Sequence, residues 1–324
     1  MHPLWFPAVN IPVHDVTGCW APYHDLRVSV LRTDLVDPLL SGNKYFKLKY
    51  NLQAAAEQGH RRLLSFGGPW SNHLHAMAAA GQRYGFATTG IVRGEAPDEL
   101  NACLRDAADM GMQLHFVSRQ DYRQKAESWF LERLRQQLGD FFPIPGGGAN
   151  LAGIRGCQEL LPSAERTAHG IPAGSAEAAD AKLRNLAAFS HILLACGTGT
   201  TMAGLITSTA IPVTGIQVLK GQGYLQKAIQ NLLCEHGLNA TAPWQVLDEF
   251  HRGGYARCDD ALLDFAARFS QQTGVPIEPV YTGKLFIAIE SLLASGYFGN
   301  DANVLVVHGG GLQGARGWIK TQGR

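Results

Sequence analysis

The chain has 324 residues, of which 46% are hydrophobic and 17% are charged, and its formal net charge at pH 7 is +1. This length allows two domains, or one large domain with an insertion, and the apolar content is sufficient for a sizeable core. No block of five like charges occurs, which argues against nucleic acid as the main partner, because phosphate backbones attract clustered Lys and Arg.

The termini and cysteines point to a cytoplasmic protein. The stretch MHPLWFPAVNIPVHD has no basic region followed by an apolar run, so no signal peptide is expected. The apolar runs are too short for a bilayer-spanning helix, which needs about 20 residues. The six cysteines are scattered and form no C-x-x-C motif, so neither a metal site nor a redox pair is expected.

Short strand-like runs alternate with amphipathic helical runs along the chain. A strand is predicted over Arg27–Arg32 and a helix over Tyr45–Gly59. The alternation continues through RRLLSFGG, SNHLHAMAAAGQRYG, ATTGIVRG, ELNACLRDAADMG, QLHFVS, FFPIPGGG, HILLACG, TTMAGLITST, PVTGIQVL, LQKAIQNLLCEHG and ANVLVVHGGG. This order predicts parallel βαβ units, and the number of strands favours two sheets. Residues Pro162 to Ala181 are predicted to be a surface connection.

A glycine- and threonine-rich loop follows the strand HILLAC. Gly197-Thr198-Gly199-Thr200-Thr201 combines close backbone approach with N–H and hydroxyl donors, which suits a phosphate. It matches neither the ATP-binding P-loop nor the G-x-G-x-x-G dinucleotide pattern. From the residues alone, a phosphate site and a tight turn with a threonine cap both stay open.

The turn SFGGPWSNH offers a second candidate site. Ser71 is a good helix N-cap, and the same helix start, with Asn72 and His73, could also bind a carboxylate. His73 and His75 are two residues apart and face different sides of a helix, so they make a poor metal site, and His75 is expected at the surface or in packing.

Two further stretches carry candidate reactive groups. SGNKYFKLKYN contains three lysines near a predicted helix start, for which a solvated basic face is the ordinary interpretation. EPVYTGKLF is predicted to run from strand through turn to helix, with Tyr281 at the end of the strand. Tyr255 follows two glycines, and either tyrosine could simply pack.

Taken together in this order, GNKYFKLKYN, FGGPWSNH, ACGTGTTMAG and EPVYTGK resemble the pyridoxal-phosphate (PLP) enzymes of the tryptophan-synthase-β type, fold type II. Within that group the chain is similar to the branch of 1-aminocyclopropane-1-carboxylate (ACC) deaminase and D-cysteine desulfhydrase. The resemblance extends from about Gly42 to Gly311 and implies two open, twisted, mostly parallel sheets flanked by helices. It also implies a large PLP-binding domain (1–58 plus 154–324), a small inserted α/β domain (59–153) and a homodimer.

The resemblance assigns a role to each motif. Lys44 matches the Schiff-base lysine, and Lys47 matches a second lysine near the cofactor phosphate. Ser71, Asn72 and His73 match positions at the substrate carboxylate, the reacting centre or the pyridine O3′. The remaining matches are the phosphate cup at Thr198, Gly199, Thr200 and Thr201, two active-site tyrosines at Tyr255 and Tyr281, and the partner of the pyridine nitrogen at Thr282.

Position 282 favours one reaction over the other. The family's ACC deaminases resemble one another in having Glu there, whereas the desulfhydrases have Thr, as this chain does. A neutral hydroxyl leaves the pyridine largely unprotonated, which suits β-elimination. The expected function is therefore D-cysteine desulfhydrase-like α,β-elimination on a small amino acid, giving pyruvate, ammonia and sulfide.

Three alternatives stay open beside this hypothesis. They are ACC deamination to 2-oxobutyrate and ammonia, a non-catalytic PLP-binding protein, and a dinucleotide-dependent oxidoreductase, which the missing fingerprint disfavours. The chain also departs from the family pattern at Tyr45, Phe46, His75 and Gly309, and these departures are expected to reshape the pocket. Lys49 is expected to remain an ordinary surface lysine.

Overall fold

The computed structural model describes residues 6–7, 9–20, 26–161 and 186–317. The predicted surface connection Pro162–Ala181 lies outside the described residues. The strands are β1 (Val13–Asp15), β2 (Arg27–Leu31), β3 (Arg62–Gly67), β4 (Ala87–Arg93), β5 (Met112–Val117), β6 (Phe142–Ile144), β7 (His191–Cys196), β8 (Val213–Gln217), β9 (Trp244–Leu247) and β10 (Asn303–Val307). The α-helices are α1 (Asn43–Glu57), α2 (Asn72–Tyr84), α3 (Ala102–Asp109), α4 (Arg119–Tyr122), α5 (Ser128–Leu138), α6 (Leu151–Cys157), α7 (Thr200–Ile206), α8 (Tyr224–Glu235), α9 (Asp260–Thr273) and α10 (Thr282–Ala294).

The described strands form two open sheets. The larger has the order β1-β2-β10-β7-β8-β9 and the smaller the order β5-β4-β3-β6. Every adjacent pair is parallel except β1 with β2, which is antiparallel. The predicted fold class, two mostly parallel sheets flanked by helices, is therefore confirmed.

The larger sheet is covered on both faces, which explains the nearly continuous apolar runs in its central strands. In β10, Leu305 and Val307 belong to one hydrophobic cluster, whereas Val304 and Val306 belong to another. Successive side chains of a strand point to opposite faces, so each cluster covers one side of the sheet. This alternation places α1, α6 and α7 on one face and α9 and α10 on the other.

Two glycines allow the helices of the first face to pack closely. A Cβ at Gly156 of α6 would overlap the carbonyl of Phe46 in α1, and a Cβ at Gly204 of α7 would lie 2.5 Å from Cys157 Cβ. The three helices therefore form one compact layer.

The four strands of the smaller sheet all fall between residues 62 and 144, inside the predicted inserted domain 59–153. The domain boundary itself stays a prediction, and it divides α6. Among the described residues, no helix is long and apolar enough to cross a membrane.

Candidate active site

A cavity of about 270 Å³ lies where the carboxyl ends of strands from the two sheets meet. It is lined by the residues that follow β3, β7 and β10, as expected for open α/β sheets. Small-molecule sites usually measure about 300–1,000 Å³, so this cavity suits a small ligand.

The cavity brings together all but one of the predicted site residues. Those that line it are Lys44, Lys47, Ser71, Asn72, His73, Thr198, Gly199, Thr201, Tyr255, Tyr281 and Thr282. The exception, Thr200, is fully buried behind the wall, with its Oγ1 3.2 Å from Oγ1 of Thr198. Residues up to 238 positions apart in the sequence therefore converge on one site.

Lys44 lies in the first turn of α1, and its neighbours fix its position. Gly42 precedes the helix with φ +67°, and a Cβ there would overlap the carbonyl of Gly309, so only glycine fits. The Nζ of Lys44 donates to Oδ1 of Asn43 at 2.6 Å, and Nδ2 of Asn43 donates to Oγ1 of Thr201 at 2.9 Å. Asn43 thus connects the lysine to the glycine-threonine loop, a role that the sequence did not indicate.

Burial and, to a smaller extent, the positive charge of Lys47 together lower the pKa of Lys44 to about 7. Lys44 is partly exposed to solvent and lines the cavity. An ordinary lysine has a pKa of about 10.4, so about half of the Lys44 amines carry a free electron pair at neutral pH, when an ordinary lysine has almost none. The pKa of Lys47, which is 4% exposed, is lowered by burial as well.

Glycines within and beside the glycine-threonine loop allow close packing around it. Gly199 has φ +81° immediately before α7, and Gly147 lies against Thr198, where a Cβ would be 2.9 Å from the Thr198 methyl group. Lys47 packs against Gly148, where a Cβ would be 3.1 Å from Lys47 Cβ. Backbone N–H groups, threonine hydroxyls and an ammonium group therefore surround one small space, which is the donor set that a phosphate requires.

At the start of α2, Ser71 is the helix cap, as predicted, because its Oγ accepts from the backbone N–H of Leu74 at 3.2 Å. His73 is buried, its Nε2 lies 2.9 Å from Oγ of Ser65, and burial lowers its pKa to about 3, so it is neutral. Oδ1 of Asn72 and Nδ1 of His73 are buried without a hydrogen-bond partner. Such orphan atoms beside a cavity fit a polar ligand.

The prediction of a strand ending at Tyr281 is wrong. No strand forms in residues 275–281, and Tyr281 directly precedes α10. The fully buried carboxylate of Glu278 accepts backbone N–H groups from Val280 at 2.7 Å, Tyr281 at 2.8 Å and Thr282 at 2.7 Å. The chain turns here so that the Glu278 carboxylate caps the start of α10. A carboxylate at a helix N-terminus accepts from N–H groups that have no partner within the helix.

Glu278 also fixes the hydroxyl of Thr282. Oγ1 of Thr282 lies 3.1 Å from Oε1 of Glu278 and accepts from the Glu278 backbone N–H at 2.8 Å. Burial raises the pKa of Glu278, and the three backbone N–H groups counteract this rise. The only sign in the sequence was an acidic residue four positions before the helix start, which alone is too common to identify a site.

The two tyrosines form a pair, with ring centroids 6.2 Å apart. Burial raises the pKa of Tyr255 to about 12 and the pKa of Tyr281 well above its usual value, so both phenols are protonated at neutral pH. The loop that carries Tyr255 is fixed by the buried Lys284, whose Nζ donates to the Gly254 carbonyl at 2.6 Å.

Three of the four departures from the family pattern lie outside the cavity wall. Tyr45 and Phe46 pack in the core, and His75 is buried with its Nε2 3.2 Å from Oδ2 of Asp106. Of the four, only Gly309 lines the cavity, so the expectation that Tyr45, Phe46 and His75 reshape the pocket stays a prediction and would act through the packing behind its wall.

Lys49 is also not an ordinary surface lysine. It is half-buried, and its Nζ forms an ion pair with Glu159 at 2.7 Å.

The groups on the cavity wall fit PLP. A lysine amine with a lowered pKa, a loop rich in N–H and hydroxyl donors, and unpaired polar atoms line the same cavity, which is what an aldehyde with a phosphate and a pyridine ring needs.

Comparisons with known proteins agree with this fit. The family description "Pyridoxal-phosphate dependent enzyme" matches residues 26–310. A Thermotoga maritima protein named "Putative 1-aminocyclopropane-1-carboxylate deaminase" is 28% identical over 304 residues, covering 90% of this chain and 90% of its own. An Arabidopsis thaliana protein named "Bifunctional D-cysteine desulfhydrase/1-aminocyclopropane-1-carboxylate deaminase, mitochondrial" is 26% identical, covering 88% of this chain and 72% of its own. A crystal structure of an ACC deaminase homologue has the same fold, with a TM-score of 0.76 at 23% identity, covering 95% of this chain and 93% of its own. The chain therefore belongs to the family of pyridoxal-phosphate-dependent enzymes.

Proposed function

We propose that this enzyme catalyses α,β-elimination on a small amino acid with a β-thiol, as a D-cysteine desulfhydrase does. One observation carries the proposal. A lysine with a lowered pKa, a phosphate-binding loop and a helix start share a cavity in which a threonine, and not a carboxylate, stands at position 282.

Each group of lining residues is assigned to one part of the cofactor or of the substrate. Lys44 would bind the cofactor aldehyde covalently, while Lys47 and the loop Thr198–Thr201 would bind its phosphate. Asn72 and Thr282 would contact the pyridine ring. The backbone N–H groups of the helix start at residues 71–73 would bind the substrate carboxylate, since the N-terminus of a helix attracts anions.

The reaction then needs few groups from the protein. When bound, PLP supplies the electron sink for the bond broken at Cα. The amine of Lys44 takes the α-proton, and the sulfide leaves with the electron pair of the C–S bond. The protonated phenols of Tyr255 and Tyr281 can donate a proton to the departing sulfide. Water completes the reaction to pyruvate and ammonia.

Thr282 supports elimination over ring opening. Its neutral hydroxyl is the group nearest the proposed position of the pyridine nitrogen. Hydrogen bonds with Glu278 hold this hydroxyl in place. Glu278 lies behind this hydroxyl, and three backbone N–H groups already occupy its oxygens. A weakly protonated pyridine is the expected result.

ACC deamination is the second candidate, because two relatives carry that activity in their names. The substrate ACC has no α-proton, so the reaction would depend on a tyrosine rather than on Lys44 to start ring opening. The two activities therefore predict different sensitivities to substitution of the tyrosines.

A product assay separates the candidates. The PLP-loaded enzyme is incubated with D- and L-cysteine, D- and L-serine and ACC, and pyruvate, 2-oxobutyrate, ammonia and sulfide are measured. Pyruvate with sulfide from a cysteine enantiomer supports the proposal, whereas 2-oxobutyrate from ACC supports the second candidate. Absence of both keto acids from every substrate, with PLP bound, contradicts both.

We also propose a homodimer, on the basis of the family resemblance. The exposed fractions of Leu35 and Leu39, 53% and 39%, leave apolar surface near α1 that a second copy could cover. The protomer mass is 35.1 kDa, so light scattering should give about 70 kDa. A mass near that of one protomer would contradict the dimer.

We further propose a cytoplasmic location. All six cysteines are free, which suits a reducing compartment. Fractionation of the source cells with an antibody against the chain tests this, and recovery outside the cytoplasm contradicts it.

A further inference from the structure

Two cationic side chains lie at the exposed edge of the cavity on the side of the smaller sheet. Arg93 is the last residue of β4, and Lys125 follows α4. The Cζ of Arg93 lies 5.9 Å from the ring centroid of Tyr122, and the Nζ of Lys125 lies 5.4 Å from it. All three line the cavity, and we call them the cationic rim.

The rim is held in place by aromatic packing. The ring of Tyr122 meets that of Phe66 edge-on, with centroids 6.3 Å apart and an angle of 77°. Cations over an aromatic face are stabilised by its quadrupole, so Tyr122 orients both side chains without neutralising either charge. Within the described part of the chain, neither Arg93 nor Lys125 has a carboxylate within ion-pair distance. The acidic residue beside Tyr122, Asp121, is paired with Arg133 at 3.6 Å.

The residues that line the cavity have an excess of positive charge, which a bound anion would balance. Four basic side chains line it, those of Lys44, Lys47, Arg93 and Lys125, and no Asp or Glu is among its described lining residues. Under the proposed function, Lys47 binds the cofactor phosphate, Lys44 bonds to the cofactor aldehyde, and the start of α2 binds the substrate carboxylate. The two cations of the rim then remain without a counter-ion.

The rim also lies close to the proposed carboxylate site. A Cβ built on Gly68 would be 3.9 Å from Nη2 of Arg93, and Gly68 belongs to the turn that leads into Ser71. A group bound by Arg93 would therefore lie about one short side chain away from a carboxylate bound at the start of α2.

We propose that this enzyme accepts, beside the β-thiol substrate, a small α-amino acid whose side chain ends in an anionic leaving group, a sulfonate or a phosphate ester, which Arg93 and Lys125 bind. This inference rests on the proposed α,β-elimination and extends it to a second class of substrate. A β-phosphate ester would react by loss of the α-proton to Lys44 and of phosphate with the electron pair of the C–O bond, and hydrolysis would give pyruvate and ammonia. Arginine suits these groups because its fork matches their paired oxygens.

The test compares ligands that differ only in side-chain charge. Each enantiomer of aspartate and of asparagine is titrated into the PLP-loaded enzyme, and the dissociation constant is obtained from the change in cofactor absorbance. We expect aspartate of one enantiomer to bind about tenfold more tightly than asparagine, with the preference falling as salt is raised. O-Phosphoserine of the same enantiomer should be preferred over serine to a similar extent.

Three variants assign the effect to residues. Arg93→Gln and Lys125→Gln should each remove most of the preference for aspartate over asparagine. Arg123→Gln is the matched control, because Arg123 is exposed, lies close in sequence and does not line the cavity. If either rim variant is unstable, the other variant and the salt dependence of the parent enzyme still decide.

The outcomes separate this inference from the proposed function. Equal binding of aspartate and asparagine by an enzyme that takes up PLP and releases pyruvate from cysteine overturns the rim's role alone. An enzyme that takes up no PLP overturns both. A charge preference that Arg123→Gln abolishes as strongly as Arg93→Gln also overturns the inference.

Discussion

The two sides of the cavity hold their charges in different ways. On the side of the larger sheet, which we call the inner wall, Glu278 and Lys284 lie fully buried behind the residues that line the cavity, and each is bonded to backbone groups. On the side of the smaller sheet, the cationic rim is partly exposed, and Arg93 and Lys125 face the cavity without a carboxylate partner among the described residues.

The difference separates cofactor chemistry from substrate choice. A buried charge with a full set of hydrogen bonds fixes geometry and has no capacity left for a ligand. An oriented charge with no partner is available to bind one. We therefore expect inner-wall substitutions to remove cofactor binding, activity or stability, and rim substitutions to change only which substrate is preferred.

Substitution of Lys44 should produce the largest effect. Lys44→Ala removes both the proposed covalent bond and the proton acceptor, so turnover should fall by at least about 10³-fold, and the absorbance of covalently bound cofactor should disappear. Lys49→Ala is the control, because Lys49 pairs with Glu159 away from the cavity. Unchanged turnover in Lys44→Ala would contradict the account of the inner wall.

Glu278→Gln should lower stability strongly. The amide places an NH₂ group or a neutral oxygen against N–H donors that now meet a carboxylate, so the free energy of unfolding should fall by about 1–3 kcal/mol. Urea denaturation measures this change. Glu290→Gln makes the same chemical change at an exposed position of α10 and should have almost no effect. Equal denaturation midpoints for the two variants would show that Glu278 does not fix the turn.

The pH dependence of cofactor uptake should follow the lowered pKa of Lys44, about 7. The neutral amine is the reactive form, so the initial rate of PLP uptake by the apoenzyme should rise with pH and level off above pH 8. Between pH 7 and pH 6 the rate should fall about fivefold. Pyridoxal, which lacks the phosphate, serves as control for titration of the phosphate itself.

Lys47→Met tests the cause of this shift. Removal of the neighbouring charge should raise the pKa of Lys44 and move the midpoint of uptake to higher pH. A rate that still rises tenfold per unit between pH 8 and pH 9 in the parent enzyme would mean that the amine of Lys44 has an ordinary pKa.

Lys284→Met should have the smallest effect. It removes the bond to the Gly254 carbonyl, so the loop that carries Tyr255 should open more often, and tryptic cleavage after Arg252 or Arg257 should quicken several-fold. Lys227→Met, at an exposed position of α8, is the control. An unchanged cleavage rate would assign the position of Tyr255 to other contacts.

Local sequence patterns predicted the features that depend on neighbours in the chain. The start of α1 with Lys44 and Lys47 one turn apart, the Ser71 cap and the loop before α7 were all visible, because caps, glycines and helix periodicity act over a few residues. The fold class also followed from the alternation of strands and helices. The family resemblance then added the roles that spacing could not supply.

Features that depend on distant contacts were not visible. Asn43 gains its role from Thr201, which is 158 residues away, and Lys284 from Gly254. The strand β9 (Trp244–Leu247) and the helix α9 (Asp260–Thr273) were not predicted, although both complete the larger sheet and its outer layer. The strand predicted before Tyr281 failed because Glu278 folds back on its own helix start, and an apolar run cannot reveal this.

The cationic rim illustrates the same limit. Arg93, Tyr122 and Lys125 come from two separate elements, and each is unremarkable in the sequence. Only the parallel register of β3, β4 and β5 brings them to the same end of the smaller sheet.

The central claim is that Lys44 carries the cofactor, and mapping the covalent bond tests it most directly. The PLP-loaded enzyme is reduced with borohydride and digested, and the modified lysine is located by mass spectrometry. The account predicts one phosphopyridoxyl group per chain, on Lys44, with Lys47 and Lys49 unmodified. A label on either of these two lysines, or no label on an enzyme that releases pyruvate, would contradict it.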